Sequence, residues 1–201
     1  MKRNNSNKIN IGLKTSIVSE GKSEKAFVNF LKNKLYKSRQ PVCNEHSQLI
    51  SGSLKLDNVK INKINCCKTF YFIDKDNFEE LVIKKLKNKI NNEGDVLILS
   101  IPQMEVCLLA IFEKHSDTDM DKKMLENKLT KHINQNKIFD EKYEHNLQSL
   151  EKIMKHLKKI VEDENNEYNL EKFEENLDHY ESNELLHTNI IKYIRHLKKE
   201  Q

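Results

Sequence analysis

The chain has 201 residues, of which 33% are charged and 37% are apolar, and its formal net charge is +4. That length allows one sizeable domain, with or without an appendage. The longest apolar run, residues 106–112, is too short to span a bilayer, and residues 1–10 lack the apolar block of a signal peptide. We therefore expect a cytoplasmic protein that does not enter a membrane.

Positive charge is concentrated in the first third of the chain. Residues 1–65 carry 13 Lys and Arg against 4 Asp and Glu, a balance of +9. This favours a polyanionic partner such as nucleic acid, although lysines that are only solvated in a Lys- and Asn-rich chain would give the same balance. The four cysteines have no C-x-x-C spacing, so we expect reduced thiols rather than a disulfide scaffold or a zinc site.

The first predicted elements are a strand and a helix joined at Glu20. Residues 15–18 are rich in β-branched side chains and predict a buried strand. Gly21 permits a sharp turn, and Ser23 can cap a helix that we expect to extend to about Lys37. Glu20 would then lie at the carboxyl end of a strand, where open α/β sheets bind their ligands.

The second group of elements leads to two more acids. Residues 42–56 have an irregular pattern, and residues 59–64 alternate weakly as a short strand would. Residues 69–73 are aromatic and β-branched and predict a strong strand that runs directly into Asp74 and Asp76.

The remaining pattern predicts an α/β core followed by helices. A helix over 78–90, an apolar strand over 96–99 and a buried helix over 104–112 complete an alternation typical of a largely parallel sheet. Residues 116–201 are charged and show helical periodicity around 124–133, 147–161 and 190–197, without strand signals. We therefore predict an α/β core over residues 1–115, a mostly parallel sheet flanked by helices, and a helical C-terminal extension over 116–201 that packs on it.

Asp74 and Asp76 are spaced for joint metal binding. In extended backbone, residues i and i+2 lie on the same side, about 6.6 Å apart. With Glu20 they would gather three carboxylates at one edge, where two bare charges at ~5 Å repel by about 3 kcal/mol at an effective dielectric of 20. Mg²⁺ or Mn²⁺ would remove that repulsion. Alternatively, the two aspartates only cap the helix that begins near Phe78.

Three segments in order resemble the motifs of a known family. The strand–Ser-Glu-Gly-Lys-Ser-Glu–helix unit at Glu20 and the strand–Asp-Lys-Asp unit at Asp74 and Asp76 resemble the acid motif and the D-x-D motif of the Toprim fold. Residues 100–113, Ser-Ile-Pro-Gln-Met-Glu-Val-Cys-Leu-Leu-Ala-Ile-Phe-Glu, resemble the S-N-P-x-F-E-x-W-L-L-L-H-F-E segment of RloB-like Toprim proteins. Residues 182–188 are weakly similar to that family's N-P-x-T turn before the last helix.

The chain departs from the RloB-like pattern at several positions. Ile101 replaces an Asn, Cys107 replaces a Trp and Ile111 replaces a His. Near Tyr143, a Tyr-Glu-His sequence stands where that family often has Tyr-x-Lys. The acids are retained, so the resemblance bears on metal binding more directly than on substrate handling.

The resemblance implies a Rossmann-like Toprim fold and metal-dependent phosphodiester chemistry, as in a nuclease linked to bacterial anti-phage defence. In that interpretation Glu20, Asp74 and Asp76 hold Mg²⁺ or Mn²⁺, and Glu20 also acts as a general base. Lys22, at a helix N-terminus, steadies a phosphate or is only solvated. Glu105 either reaches the metal cluster or is an ordinary helix-start carboxylate. The substrate would be DNA or RNA, including tRNA.

Two alternatives to a nuclease remain. The chain could be a non-catalytic Toprim-like subunit that binds a nucleotide or works with an ATPase partner, which the substitutions at Ile101, Cys107 and Ile111 favour. It could also be a helical interaction protein whose C-terminal part matters most. A nucleotide-binding P-loop at residues 21–23 is excluded, because the glycine required five residues earlier is absent.

Overall fold

The structure is a computed structural model that describes most of the chain. The described residues are 14–19, 22–37, 42–46, 67–75, 78–92, 94–101, 103–114, 121–135, 147–161, 163, 169–182 and 187–199. Within those ranges, no helix combines the length and the apolar character needed to cross a bilayer.

The described strands form one sheet. They are β1 (Lys14–Ser19), β2 (Val42–His46), β3 (Cys67–Asp74), β4 (Val96–Ile101) and β5 (His187–Thr188). Their order is β2-β1-β3-β4-β5; the first four run parallel, and β5 is antiparallel to β4. The predicted α/β class with a mostly parallel sheet is confirmed, and the arrangement is compatible with a Rossmann-like fold.

The described helices lie between and after the strands. They are α1 (Lys22–Phe30), α2 (Glu80–Asn92), α3 (Glu105–Phe112), α4 (Lys122–Gln135), α5 (Leu147–Val161), α6 (Leu170–Ser182) and α7 (Ile191–Lys198). A π-helical turn, Leu31–Leu35, continues α1. The helices predicted over 78–90, 104–112, 124–133, 147–161 and 190–197 are confirmed.

Strand β3 occupies the middle of the sheet and is buried on both faces. Phe70 and Phe72 pack into the larger apolar cluster, and Tyr71 and Ile73 pack into a second cluster on the opposite face. Because side chains alternate along a strand, a run of aromatic and β-branched residues supplies both faces at once. Helix α2 covers the second face with its buried residues, while α1 and α3 contribute to the larger cluster.

Helix α3 is buried on all sides. Every side chain from Val106 to Phe112 is at most 6% exposed. Helices α4 and α6 pack against it, and the buried Asn176 of α6 donates a hydrogen bond from Nδ2 to the Ala110 carbonyl oxygen at 2.8 Å. Ala110 lies in the last turn of α3, where carbonyl oxygens have no N–H donor within the helix. The Asn176 side chain supplies that donor.

Residues of the predicted extension join the same apolar cluster as the sheet. Leu129, Leu157, Leu177 and Ile194 are fully buried in it together with Phe70 of β3. The domain boundary at residue 115/116 stays a prediction.

Four features differ from the predicted elements. Strand β2 forms within the segment expected to be irregular, and β5 forms within the segment expected to be wholly helical. Helix α6 and the π-helical turn were not predicted. A two-residue strand such as β5 is too short to show alternation, so only its partner β4 reveals it. The strand predicted over 59–64 lies outside the described residues.

Candidate functional site at the carboxyl edge of the sheet

The predicted site residues divide into described and undescribed positions. Asp74, Lys22 and Glu105 are described, whereas Glu20 and Asp76 lie outside the described residues. Metal binding by Glu20, Asp74 and Asp76 together therefore stays a prediction.

Asp74 lies at the carboxyl end of the central strand, as predicted. The register pairs it with Ser100 of β4, and it pairs Ser19, the last residue of β1, with Phe72 of β3. Because β1, β3 and β4 are parallel, their carboxyl ends meet at one edge of the sheet. This is the edge at which open α/β sheets form their ligand sites.

Asp74 and Glu24 line the same small cavity at this edge. The cavity has a volume of about 10 Å³, on the order of the space that one water molecule needs, and Ser100 and Met104 also line it. Glu24 belongs to the first turn of α1, where a carboxylate also complements the helix dipole. The helix start thus brings a second carboxylate toward the aspartate, and paired carboxylate oxygens are ligands that suit Mg²⁺ and Mn²⁺.

Glu105 begins α3 close to the same edge. Burial raises the pKa of the Glu105 carboxyl, and the nearby charge of Glu24 raises it further, while Lys122 acts in the opposite direction. The first turns of α1 and α3 therefore hold two carboxyl groups within electrostatic reach of each other. A raised pKa lets Glu105 keep its proton at a higher pH than an exposed glutamate, so it is a candidate proton donor.

A buried polar cluster lies beneath the carboxylates. Thr188 Oγ1 is 3.3 Å from Cys107 Sγ and 3.4 Å from Ser100 Oγ, and the Ser100 and Cys107 side chains are 3.8 Å apart. Burial raises the pKa of the Cys107 thiol to about 12, with Asp74 and Glu105 as further contributors. The thiol is fully buried and stays protonated at neutral pH, so it is a structural link between β4, α3 and β5 rather than a nucleophile.

Glu113, the last acid of the segment that resembles RloB-like proteins, lies at the other end of α3. Its Oε2 is 2.8 Å from His132 Nε2, and it also forms an ion pair with Lys128. The His132 ring stacks on Phe112 with centroids 5.3 Å apart. These contacts fasten α4 to α3, about 12 Å along the helix from Glu105.

The other predicted positions differ in exposure. Lys22 is exposed as the first residue of α1, so its role as a phosphate contact stays a prediction. Cys107 and Ile111, which replace the Trp and His of the RloB-like pattern, are buried in α3. In the part of the chain that the structure describes, no three His, Cys, Asp or Glu residues are grouped closely enough to hold a metal ion.

Two features of this edge were not anticipated from the sequence. Glu24 is not among the site residues predicted above, yet it lines the same cavity as Asp74. The Ser100–Cys107–Thr188 cluster joins residues as many as 88 positions apart, and only the weak similarity at residues 182–188 pointed toward it.

Comparison of the chain with protein-family models, with curated proteins and with solved structures found no match.

Proposed function

We propose that the chain is a metal-dependent nuclease of the RloB-like Toprim type that acts in bacterial anti-phage defence in the cytoplasm. The observation that carries the proposal is the position of Asp74. It ends the central parallel strand and shares a cavity with Glu24, near the protonatable Glu105. Carboxylates gathered at the carboxyl edge of a parallel sheet support metal-dependent phosphodiester chemistry, and the three motifs in Toprim order support the same assignment.

Glu20, Asp74 and Asp76 are the proposed ligands of Mg²⁺ or Mn²⁺. When bound, the ion would stabilise the charge that develops on the phosphodiester and lower the pKa of a nearby water. Glu24 borders the same cavity and adds negative charge that favours a cation there.

The chain's own groups would carry the proton transfers. Glu20, the next residue in sequence after β1, is the proposed acceptor of the proton of the attacking water. Glu105, whose pKa is raised by burial, supplies a proton to the leaving oxygen. Lys22, exposed at the start of α1, orients the substrate phosphate.

The test is cleavage of labelled DNA, total tRNA and single-stranded RNA in the presence of Mn²⁺. Wild type is expected to cleave one class, and Glu20→Gln is expected to lower the rate by about 100-fold or more. Thermal unfolding of both proteins checks that the substitution leaves the fold intact. Absence of cleavage by wild type with every substrate, or equal rates for the two proteins, would contradict a nuclease.

A non-catalytic subunit that works with an ATPase partner is the second candidate. Burial of Cys107 and Ile111 in α3 favours it, because positions that carry a Trp and a His in the RloB-like pattern serve packing here. In that case an ATPase partner would be retained by wild type and by Glu20→Gln alike, and neither protein would cleave nucleic acid.

A further inference from the structure

A groove separate from the acidic edge lies between the outer side of α1, its π-helical turn and α5. Its volume is about 590 Å³, within the range of about 300–1,000 Å³ that small-molecule sites occupy. Phe27 and Val28 of α1 line the small cavity with Asp74, whereas Ala26 and Phe30 line the groove. The two sites therefore lie on different sides of one helix.

The floor of the groove is apolar and its wall carries amides. Ala26, Phe30 and Met154 provide the floor, and Phe30 and Met154 are only 8% and 6% exposed, which fixes them in the core. Asn29 and Asn33 stand one helical turn apart on the α1 side. An apolar surface beside carboxamide groups suits a flat heterocycle whose edge both donates and accepts hydrogen bonds.

Positive charge comes from both walls of the groove. Lys34 lines it from the π-helical turn, and Lys155 and Lys158 line it from α5. Glu151 is the one acid among the lining residues that the structure describes. The balance favours an anion, and lysines on opposite walls can hold a chain of phosphates between them.

The π-helical turn is an independent sign of a functional site. The Tyr36 backbone N–H donates to the Leu31 carbonyl oxygen at 2.8 Å, which is the i to i+5 pattern of a π-helix. Such turns are rare and occur frequently at functional sites. This one carries Asn33 and Lys34, an amide and a cation of the groove.

We propose that this groove binds a nucleoside polyphosphate. The base lies on Ala26, Phe30 and Met154, the amides of Asn29 and Asn33 bond to its edge, and the lysines hold the phosphates. This site goes beyond the proposed nuclease activity and does not depend on it.

The test uses ATP as the probe and calorimetry in EDTA, so that no divalent ion is present at the acidic edge. Full-length wild type is expected to bind one ATP, and Lys155→Glu/Lys158→Glu is expected to raise the Kd about tenfold or more. The matched control is Lys84→Glu/Lys87→Glu, an exposed pair with the same spacing on α2, which covers the opposite face of the sheet. The control is expected to bind ATP as wild type does.

Two further measurements distinguish specific ATP binding in the groove from nonspecific attraction to positive charge. Ala26→Met narrows the floor without changing the charge and is expected to weaken ATP binding, with the fold checked by circular dichroism. Inorganic triphosphate is expected to bind more weakly than ATP, because it leaves the apolar floor unused.

The proposal is overturned if ATP does not bind saturably, or if the α5 pair and the α2 pair have equal effects on the Kd. It is also overturned if triphosphate binds as tightly as ATP. Binding of a single-stranded oligonucleotide or an acidic peptide in place of ATP would assign the groove to that ligand instead. Lowered thermal stability with an unchanged Kd would also overturn the proposal, because the two lysines would then act on the fold and not on ATP binding.

Discussion

Asn189 and Leu99 exchange two hydrogen bonds at the edge of β4. The Leu99 N–H donates to Asn189 Oδ1 at 2.7 Å, and the Asn189 backbone N–H donates to the Leu99 carbonyl oxygen at 3.4 Å. The side-chain Nδ2 of Asn189 also donates to the Leu97 carbonyl oxygen at 2.9 Å. One carboxamide therefore continues the pairing of β4 beyond the two residues of β5.

Asn189→Ala should destabilise the fold. The substitution leaves the Leu99 N–H and the Leu97 carbonyl without their side-chain partner, and each unsatisfied buried group costs about 1–3 kcal/mol. Because both hydrogen bonds are only partly buried, we expect the free energy of unfolding, measured by urea denaturation, to fall by about 1–3 kcal/mol in total. Asn134→Ala, at an exposed position of α4, is the control and should leave the midpoint unchanged.

Asp74→Asn should weaken divalent-ion binding. The substitution removes a charge from the cavity that Asp74 shares with Glu24, and a neutral amide is a poorer ligand for a hard cation. Calorimetric titration with Mn²⁺ should show an increase in Kd of about tenfold or more relative to wild type. Asp163→Asn, at an exposed position outside the helices, should bind Mn²⁺ as wild type does. Equal titrations for wild type and Asp74→Asn would rule out the proposed metal site.

Glu105→Gln should raise the stability of the fold and lower the rate of cleavage. Because burial raises the pKa of Glu105, the folded chain holds this proton more tightly than the unfolded chain does. Its stabilising contribution is complete below the ordinary glutamate pKa and is lost as the pH rises through the raised value. Glutamine cannot ionise, so the variant should gain urea stability relative to wild type as the pH rises above about 4.

The same variant should cleave nucleic acid more slowly, since it cannot supply the proton proposed for the leaving oxygen. Wild-type cleavage should decline as the pH rises and Glu105 ionises, and the pH profile of the variant should lack that decline. A variant with both the stability and the rate of wild type would show that Glu105 is only a helix-start residue.

Tyr36 should contribute to alkaline unfolding. Burial and the neighbouring Glu174, whose Oε1 accepts the phenol hydrogen bond at 3.0 Å, raise the pKa of Tyr36 far above its ordinary value. The unfolded chain therefore loses this proton first, and stability must fall as the pH rises past about 10. Tyr36→Phe removes the titration, so its free energy of unfolding should depend less steeply on pH above about 10 than that of wild type. Parallel curves for the two proteins would contradict the assignment.

Local sequence was sufficient to predict the elements whose composition alone indicates that they are buried. The aromatic and β-branched run of β3 and the unbroken apolar run of α3 predicted buried elements, and Asp74 was correctly placed at a strand end. Contacts distant in sequence were not predictable in this way. Thr188 reaches Cys107 across 81 positions, and nothing in the two-residue β5 distinguishes it from a loop.

The candidate site, too, was predictable from local sequence only in part. Asp74 follows from the strand pattern, whereas the convergence of Glu24 and Glu105 depends on how α1 and α3 sit on the sheet. That packing is set by buried side chains along the whole length of each helix. The residues next to Glu24 and Glu105 in sequence are therefore not enough to predict how α1 and α3 pack.

The complete burial of α3 has a consequence for how the chain is made. Helices α4 and α6 cover part of α3. Helix α6 ends at Ser182, so it is synthesised long after Phe112. At about 5–20 residues per second, the ribosome takes on the order of several seconds to supply α6. During that interval the nascent chain exposes an apolar run of seven residues, 106–112, without the helices that later cover it, and at this stage a chaperone would matter most. Chains shortened before α6 should therefore accumulate as aggregates rather than as a folded core.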